Sequence, residues 1–337
     1  MVVATLVAVL SVHLGLLHIF SLIMFWYANV VVVPTALSVA ALRLAWKGNP
    51  VRLTPAARVL VILFLFALPL CAYASFIEPY QLRLERAEVA LEDSTSLNAP
   101  IRIAVLADIQ TDSIGAHEER AVEMALAAKP DIIVLPGDFF QGNERQFQEA
   151  LPRYRALLNR LSAPGGIYAC PGNLDRPDRL AALFENTPVR LLNNEIVTAV
   201  VGEARIAIAG VENLFFHEAG MQTIHQLAQT DADARILLAH LPDAALRTTP
   251  DDQLDLIISG HTHGGQVVVP GFGPLMKATS VPRAVAAGGL HHIKHQWIYV
   301  SRGVGFEHAG APPLRFLCPP EVSLITLTPG EQNRASP

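Results

Sequence analysis

Apolar positions form long unbroken runs at the beginning of the chain and short, interrupted runs in the remainder. Residues 1–42 contain no Asp, Glu, Lys or Arg, and neither does Val59–Ile77. As a single helix, the first run would extend about 63 Å, roughly twice the ~30 Å hydrocarbon core of a bilayer. We therefore expect about three membrane-spanning helices, near Leu6–Trp26, Val31–Trp46 and Val59–Ile77, with two spans as the alternative.

Basic residues indicate how these spans are oriented. The loop between the second and third predicted spans holds Arg43, Lys47, Arg52 and Arg58, and fewer basic residues follow the third span. Loops rich in basic residues stay in the cytoplasm. The sequence therefore predicts an integral membrane protein, with the lipid bilayer as a partner and its soluble domain on the extracytoplasmic face. A cleaved signal peptide would need a basic residue before its apolar core, and none precedes Arg43.

After residue 100, short apolar runs alternate with segments of helical spacing. The predicted strands are Ile101–Ala107, Ile132–Leu135, Ile167–Cys170, Ile196–Val201, Arg205–Ala209, Ile236–Ala239, Leu256–Ser259, Val267–Val269, Trp297–Val300 and Val322–Leu327. The predicted helices are Glu118–Lys129, Arg145–Leu161, Arg179–Glu185 and His217–Gln229. Strands alternating with helices, followed by strand pairs, predict an α/β fold with more than one sheet.

The soluble part of the chain is mildly acidic. Residues 81–337 carry 21 basic and 29 acidic side chains, so a basic nucleic-acid-binding domain is excluded and no nucleic acid is expected as a partner. The three cysteines are far apart and match no zinc or disulfide motif. The predicted organisation is a transmembrane anchor (1–77), a charged linker (78–100), a soluble domain (101–329) and a tail (330–337).

Polar side chains of metal-binding type follow five of the predicted strands. In chain order they are Asp108 with Gln110, Asp138, Asn173, His240, and His261 with His263. Ligands of α/β sheets gather at the carboxyl ends of strands, so these groups are expected at one edge. Each group alone could be a helix cap or a turn residue. Together, carboxylates, imidazoles and amide oxygens suit Mn, Fe or Zn, and the ordered set predicts a metal centre.

This ordered set resembles the signature of the calcineurin-like metallophosphoesterases, which reads Asp-x-His, Gly-Asp, Gly-Asn-His-Asp/Glu, a lone His and Gly-His-x-His. The resemblance covers residues 101–329 and is strongest to the bacterial membrane-associated branch, because of the segments Ser259–Gln266, Ser301–Gly305 and Pro319–Glu321. It implies an α/β sandwich of two β-sheets flanked by helices, placed after an N-terminal bundle of transmembrane helices. It also implies a bacterial inner or plasma membrane as the location.

The resemblance carries the family's ligands onto this chain position by position. For the first metal it implies Asp108, Gln110, Asp138 and His263. For the second it implies Asp138, Asn173, His240 and His261. The cofactors would be two divalent ions, Mn or Fe/Zn, bridged by Asp138. A hydroxide held between them would attack phosphorus, with Asp138, Asn173 and His240 as the catalytic residues.

Two positions depart from the family pattern. Gln110 stands where the family has its first His; its carbonyl oxygen can coordinate a metal and favours Mn over Zn. Leu174 stands where the family has a His that assists the leaving group, and loss of general-acid help typically costs about 10²–10⁴-fold. Either the substrate has a good leaving group, or the site binds metal without efficient turnover. His117 and His217 are candidates to replace the missing imidazole.

The sequence therefore predicts a membrane-anchored dimetal phosphoesterase that hydrolyses a phosphodiester or pyrophosphate bond. One alternative is a UDP-2,3-diacylglucosamine-type lipid pyrophosphate hydrolase with a phospholipid-like substrate; another is a metal-binding, non-catalytic scaffold or sensor. Arg302 and Arg315 are candidate phosphate-binding groups, with structural ion pairing as the alternative. The apolar segment Gly271–Met276 could face a lipid, with core packing or an ordinary turn as the alternative.

Overall fold

A computed structural model of the chain divides it into two compact units. One consists of residues 1–79 with 308–315, and the other of residues 80–307 with 316–337. The residues that the structure describes are 28–46, 54–91, 97, 99–212, 217–307 and 313–330. The first predicted span, Leu6–Trp26, lies outside them.

The first unit contains two apolar helices. Helix α1 (Val33–Trp46) continues a short π-helical segment at Ala28–Val32, and α2 runs over Pro55–Phe76. Helix α2 begins at Thr54, whose hydroxyl accepts a hydrogen bond from the Ala57 N–H at 3.2 Å. Such a cap satisfies a backbone donor that the first turn leaves free.

Among the described residues, one helix is long and apolar enough to cross a membrane, by length and composition alone. It is α2 with the turn that follows it, Pro55–Tyr80, and it contains the third predicted span. The apolar part of α1, Val33–Leu44, is shorter than the ~20 residues of a full crossing. Of the two predicted spans that fall on described residues, the third therefore coincides with a helix of spanning length and the second does not.

The second unit is built on two six-stranded sheets. The first has the order β1-β14-β2-β3-β4-β5, and the second β12-β13-β9-β8-β7-β6. The strands of the first sheet are β1 (Arg83–Leu91), β2 (Ile101–Val105), β3 (Ile132–Pro136), β4 (Ile167–Cys170), β5 (Val189–Leu191) and β14 (Glu321–Pro329). Those of the second are β6 (Glu195–Val201), β7 (Ala204–Gly210), β8 (Ala234–Leu238), β9 (Leu256–Ser259), β12 (Gly289–Ile293) and β13 (Gln296–Val300). A two-stranded hairpin, β10 (Val268–Val269) with β11 (Gly273–Pro274), lies apart from both.

Alternation along the strands sends side chains to two separate cores. Ile103 of β2 packs in the core between the two sheets, together with Ile208 and Ile258 of the second sheet. The neighbouring Ala104 points the other way, into a core shared with helices. Because successive strand residues face opposite sides, one short apolar run fills both layers. The α/β sandwich of two sheets flanked by helices is confirmed.

Helices cover the outer faces of both sheets. The helices over the first sheet are α3 (Ala116–Ala127), α4 (Glu144–Leu158) and α5 (Pro177–Phe184). Those over the second are α6 (Glu218–Ala228), α7 (Ala244–Arg247) and α8 (Arg283–Ala286). Asn143 caps α4, its side chain accepting from the Gln146 N–H while the Gln146 side chain accepts from the Asn143 N–H, each at 3.0 Å.

The segment predicted as a linker differs from the expectation. Its residues Arg83–Leu91 form β1, which pairs in parallel with β14 at the edge of the first sheet. Val89 and Leu91 are buried in the core between the sheets, whereas Arg83, Arg86 and Glu88 are exposed. A charged outer face is typical of an edge strand. These charges concealed the apolar alternation.

Candidate metal centre

All seven predicted ligands lie in the turns that directly follow parallel strands. Asp108 and Gln110 follow β2, Asp138 follows β3, Asn173 follows β4, His240 follows β8, and His261 and His263 follow β9. Strands β2, β3 and β4 run parallel in one sheet, and β8 and β9 run parallel in the other. Parallel strands present their carboxyl ends at the same edge, so the sheets deliver these groups together.

The backbone is unusual at most of these positions. Among the described residues, eleven non-glycine residues have positive φ, and five of them are predicted ligands. Their φ angles are 46° at Asp108, 35° at Gln110, 53° at Asp138, 71° at His261 and 47° at His263. Positive φ is costly for side chains with a Cβ, and it clusters at functional sites where surrounding structure enforces it. The site is therefore held by backbone that is strained locally.

Two glycines let the ligand-bearing turns approach one another. A Cβ on Gly172 would lie 2.1 Å from Asp138 Oδ1, and a Cβ on Gly260 would lie 2.2 Å from Asp108 Oδ2. Any side chain at either position would displace a carboxylate. The glycines of Gly-Asn and Gly-His are thus steric requirements of the centre.

The most compact part of the centre consists of Asp108, Asp138 and His240, all buried. One potential ligand atom from each lies within 4.8 Å of those of the other two. His240 Nε2 is 3.2 Å from Asp138 Oδ2 and 2.9 Å from Asn173 Oδ1. Asn173 Oδ1 is also 2.8 Å from His261 Nδ1. Oxygen and nitrogen atoms that are typical metal ligands converge here.

Backbone carbonyls fix the direction in which two imidazoles point. His240 Nδ1 is 2.8 Å from the Pro136 carbonyl, and His261 Nε2 is 2.9 Å from the Ala278 carbonyl. A carbonyl oxygen can only accept a hydrogen bond, so each of these outer nitrogens carries N–H. The inner nitrogen of each ring faces the centre and can coordinate once it is deprotonated, which is the usual arrangement of metal-binding histidines.

Gln110 provides an independent indication that a cation fits. The side chain is 1% exposed, and its Oε1 is buried without a hydrogen-bond partner among the residues that the structure describes. A buried polar atom left unpaired is costly. His263 Nε2 lies 3.6 Å from Asp108 Oδ1. The donor set therefore fits a divalent ion, for which Oε1 offers a coordinating atom.

The charges of the centre shift the pKa values of its groups. Burial disfavours the charged imidazole of His240, but the carboxylates of Asp138 and Asp108, with the hydrogen bond to the Pro136 carbonyl, together outweigh burial and raise its pKa to about 10. Burial also opposes ionisation of Asp138, yet His240 holds the pKa of that carboxyl below its usual range. Burial and the neighbouring His240 lower the pKa of His261. A bound divalent cation would replace the proton as the positive partner of Asp138, since metal ligands must be deprotonated.

Asp175 belongs to the centre although no role was predicted for it. Its Oδ2 accepts hydrogen bonds from the N–H groups of Asp138 and Gly172, both at 2.8 Å, and its Oδ1 accepts from Phe139 at 2.9 Å. Burial, followed by the charge of Asp138, raises the pKa of Asp175 to about 6. This carboxylate ties the turn after β4 to the turn after β3. The sequence signal for this role was its position in Gly172–Asp175, two residues after the predicted ligand Asn173.

The two departures from the family pattern are both near Asp138. The backbone N–H of Leu174 donates to Asp138 Oδ1 at 2.9 Å, so residue 174 lies beside the Asp138 carboxylate. The two histidines proposed as replacements for the missing imidazole lie in different segments of the second unit. The His117 ring contacts the Val304 carbonyl at 2.8 Å, and His217 immediately precedes α6.

The two candidate phosphate-binding arginines belong to different units. Arg302 pairs with Glu85 at 2.7 Å and with Glu321, and Tyr299 also donates to Glu321 at 2.9 Å. Structural ion pairing, the alternative interpretation, is the arrangement that Arg302 adopts. Arg315 belongs to the unit of the N-terminal helices, where its backbone N–H donates to the Ala74 carbonyl at 2.9 Å.

Buried carboxylates and imidazoles that converge at the strand ends of a two-sheet α/β sandwich form a site of the kind that holds a divalent metal. Residues 101–265 match the family model for the calcineurin-like phosphoesterases. The chain belongs to this metallophosphoesterase family and is a metal-dependent phosphoric ester hydrolase. The family membership expected from the sequence is thereby confirmed, whereas the membrane-associated branch stays a prediction.

Curated relatives come from distant organisms. The metallophosphoesterase YkuE of Bacillus subtilis is 30% identical over 267 residues, covering 76% of this chain and 88% of YkuE. The phosphodiesterase YaeI of Escherichia coli is 28% identical over 265 residues, covering 76% of this chain and 92% of YaeI. The putative metallophosphoesterase F40B5.2 of Caenorhabditis elegans is 29% identical over 289 residues; the match spans 81% of this chain but 56% of the worm protein.

We predict that Asp175→Asn destabilises the second unit by about 1–3 kcal/mol, because an amide offers one acceptor oxygen to three N–H groups that now share two. Thermal unfolding of the full chain in detergent would measure the change. The matched control is Asp178→Asn, which removes an exposed carboxylate paired with Arg176 and is expected to change little. Equal shifts for both variants would contradict the role given to Asp175.

Proposed function

We propose that this protein is a membrane-anchored dimetal phosphoesterase that hydrolyses a phosphodiester or a pyrophosphate bond. The observation that carries the proposal is the convergence of buried Asp108, Asp138 and His240 at the strand ends. In the proposed centre, Asp108, Gln110, Asp138 and His263 hold the first metal. Asp138, Asn173, His240 and His261 hold the second. Two such cations would lower the pKa of a water molecule and stabilise the attacking and leaving oxygens.

The chain's own residues give the proposed site its geometry. Asp138, shared by both ligand sets, is oriented by the Leu174 N–H and held through its backbone by Asp175. Asn173 and His240 meet at 2.9 Å, which supports their assignment to the same cation. Carboxylate and amide oxygens are hard ligands, and this composition favours Mn over Zn, with Fe as the alternative.

The absence of an imidazole at Leu174 constrains the proposed substrate. Leu cannot donate a proton to a departing oxygen, so the leaving group should be stable without protonation. A phosphate released from a pyrophosphate bond or an activated ester meets this requirement. The phosphodiesterase YaeI, which matches over 76% of this chain, supports a diester as the simplest substrate class.

A hydrolase of nucleoside diphosphate lipids, of the UDP-2,3-diacylglucosamine type, is the second candidate. It is favoured by the hairpin β10–β11, which follows His263 and exposes apolar side chains. Phe272 is 55% exposed, and Leu275 and Met276 about as much. The chain then returns to Ala278, whose carbonyl contacts His261. Exposed apolar patches mark interaction sites, and a lipid substrate would meet this one. That reaction is expected on the cytoplasmic face, opposite to the charge-based orientation.

Asp138→Ala and His261→Ala should each lower Mn-dependent hydrolysis of a chromogenic phosphodiester by at least about 100-fold. Even the mutation of a residue that only hydrogen-bonds to a metal ligand typically lowers activity or metal affinity by about 10–100-fold. The control is Asp251→Ala, which removes a carboxylate from an exposed turn. The assay uses full-length protein in detergent. If wild type and both variants hydrolyse diester and pyrophosphate substrates equally slowly, the enzyme proposal fails and the scaffold or sensor interpretation takes its place.

Leu174→His should restore acid assistance. On a diester with a poor alkoxide leaving group we expect kcat to rise by about 10²–10⁴-fold. On a nucleoside diphosphate lipid, whose leaving phosphate needs no proton, kcat should change little. The measurement compares kcat for both substrates in wild type and variant. A gain on neither substrate would show that Leu174 does not limit the reaction.

The membrane proposal rests on α2 and on the basic loop before it. The full chain should remain in the membrane pellet after alkaline carbonate extraction. An alkaline phosphatase fused after Pro337 should be active, since the predicted topology places that end outside the cytoplasm. Release by carbonate would contradict the anchor. An inactive phosphatase in a correctly inserted protein would reverse the orientation and favour the second candidate.

A further inference from the structure

The amide of Gln110 can serve as a metal ligand in only one of its two orientations. Its carbonyl oxygen has lone pairs for a cation, whereas its NH₂ end is a donor. The two ends are nearly equal in size, so packing alone cannot choose between them. Some neighbouring group must turn the oxygen inward if Gln110 is to replace the family's usual histidine.

The hydrogen bonds of Gln110 are arranged asymmetrically. Its Nε2 donates to Glu307 Oε2 at 2.5 Å and to Gln141 Oε1 at 3.1 Å. Its Oε1 is buried and has no hydrogen-bond partner within the described part of the chain. All bonding is thus on the nitrogen end, and the oxygen remains available.

The Glu307 carboxylate determines this arrangement. An ionised carboxylate can only accept hydrogen bonds, so any amide end that faces it must be the NH₂. Gln141 donates its own Nε2 to Glu307 Oε1 at 3.1 Å, which turns Gln141 Oε1 toward Gln110. One carboxylate therefore orients the amides of both Gln110 and Gln141. As a result, the Gln110 oxygen points away from Glu307 and Gln141.

Glu307 is itself fixed by the turn that carries His263. Gln266 accepts from the Glu307 N–H at 2.8 Å and donates to the Glu307 carbonyl at 3.1 Å. Gln266 directly follows the short 3₁₀ helix His263–Gly265. The network therefore connects the segments of Gln110 and His263, which are both proposed ligands of the first metal.

We propose that Glu307 is a positioning residue that holds the Gln110 amide with its carbonyl oxygen toward the first metal. The inference rests on the proposed metal centre and adds the reason why Gln can stand in the position of a His. A flipped amide would aim its oxygen at the carboxylate, so the charge of Glu307 excludes that orientation. The first site thereby keeps an oxygen ligand suited to Mn²⁺.

The test is Mn²⁺ binding by the full chain in detergent, measured by titration calorimetry. Glu307→Ala should weaken binding at the first site by about 10–100-fold, the range for partners of metal ligands. Glu307→Gln should lie between wild type and Glu307→Ala, because an amide can donate to a flipped Gln110 as well as accept from it. Asp251→Ala is the charge-matched control and should bind like wild type.

A double-mutant cycle separates positioning from other roles. In a Gln110→Ala background, Glu307→Ala should cause no further loss of Mn²⁺ affinity, because the group that it orients is gone. An equal loss in both backgrounds would make Glu307 a direct ligand or a general source of charge, and would overturn the proposal. Unchanged affinity in the single variant Glu307→Ala would overturn it as well.

Three further outcomes would each decide a specific point. If Glu307→Ala is misfolded by circular dichroism, the isosteric Glu307→Gln decides, and wild-type affinity in that variant contradicts the proposal. Wild-type protein that binds no Mn²⁺ overturns both this inference and the metal centre. Wild-type protein that binds Mn²⁺ without hydrolysing any substrate leaves the inference intact and overturns only the proposed function.

Discussion

Two buried carboxylates that lie close together are the constraint on which the rest of the centre depends. Asp108 and Asp138 share a site with His240 and are almost fully excluded from water. Buried like charges are unfavourable unless positive charge and hydrogen bonds compensate them. The protein supplies imidazoles and backbone N–H groups. Divalent cations, which this set of ligand atoms suits, would supply the remaining positive charge. Gly172 and Gly260 are required because their turns pass directly against these carboxylates.

The sandwich makes such a site possible because it brings the carboxyl ends of several strands to one edge. Each predicted ligand follows a strand whose side chains fill the core between the sheets or the core beneath the helices. Positive φ at five of these positions persists because the packed strands determine the course of the turns that follow them. Asp175 and Glu307 then fix groups that the strands alone do not orient, the turn after β4 and the Gln110 amide.

The chain also shows how a family pattern can change at two ligand-shell positions with different consequences. Gln110 retains a coordinating atom, and the Glu307 carboxylate orients its amide. Leu174 retains only its backbone N–H toward Asp138, so the proton-donating function of the family's histidine is lost at that position. In the proposed mechanism, the first change would preserve metal coordination, whereas the second would restrict the enzyme to substrates with good leaving groups.

The sequence by itself determined the fold class, most strands and helices, and the family, because apolar periodicity and the residues after each strand are local signals. It missed β1, whose exposed charges hid its alternation, and it gave no role to Asp175 or Glu307. Only the tertiary structure decided those roles, since hydrogen bonds between Gln110 and Glu307 join residues 197 positions apart. It likewise decided that Arg302 faces carboxylates. Such partners depend on how strands are ordered in the two sheets, and no pattern along the chain encodes that order.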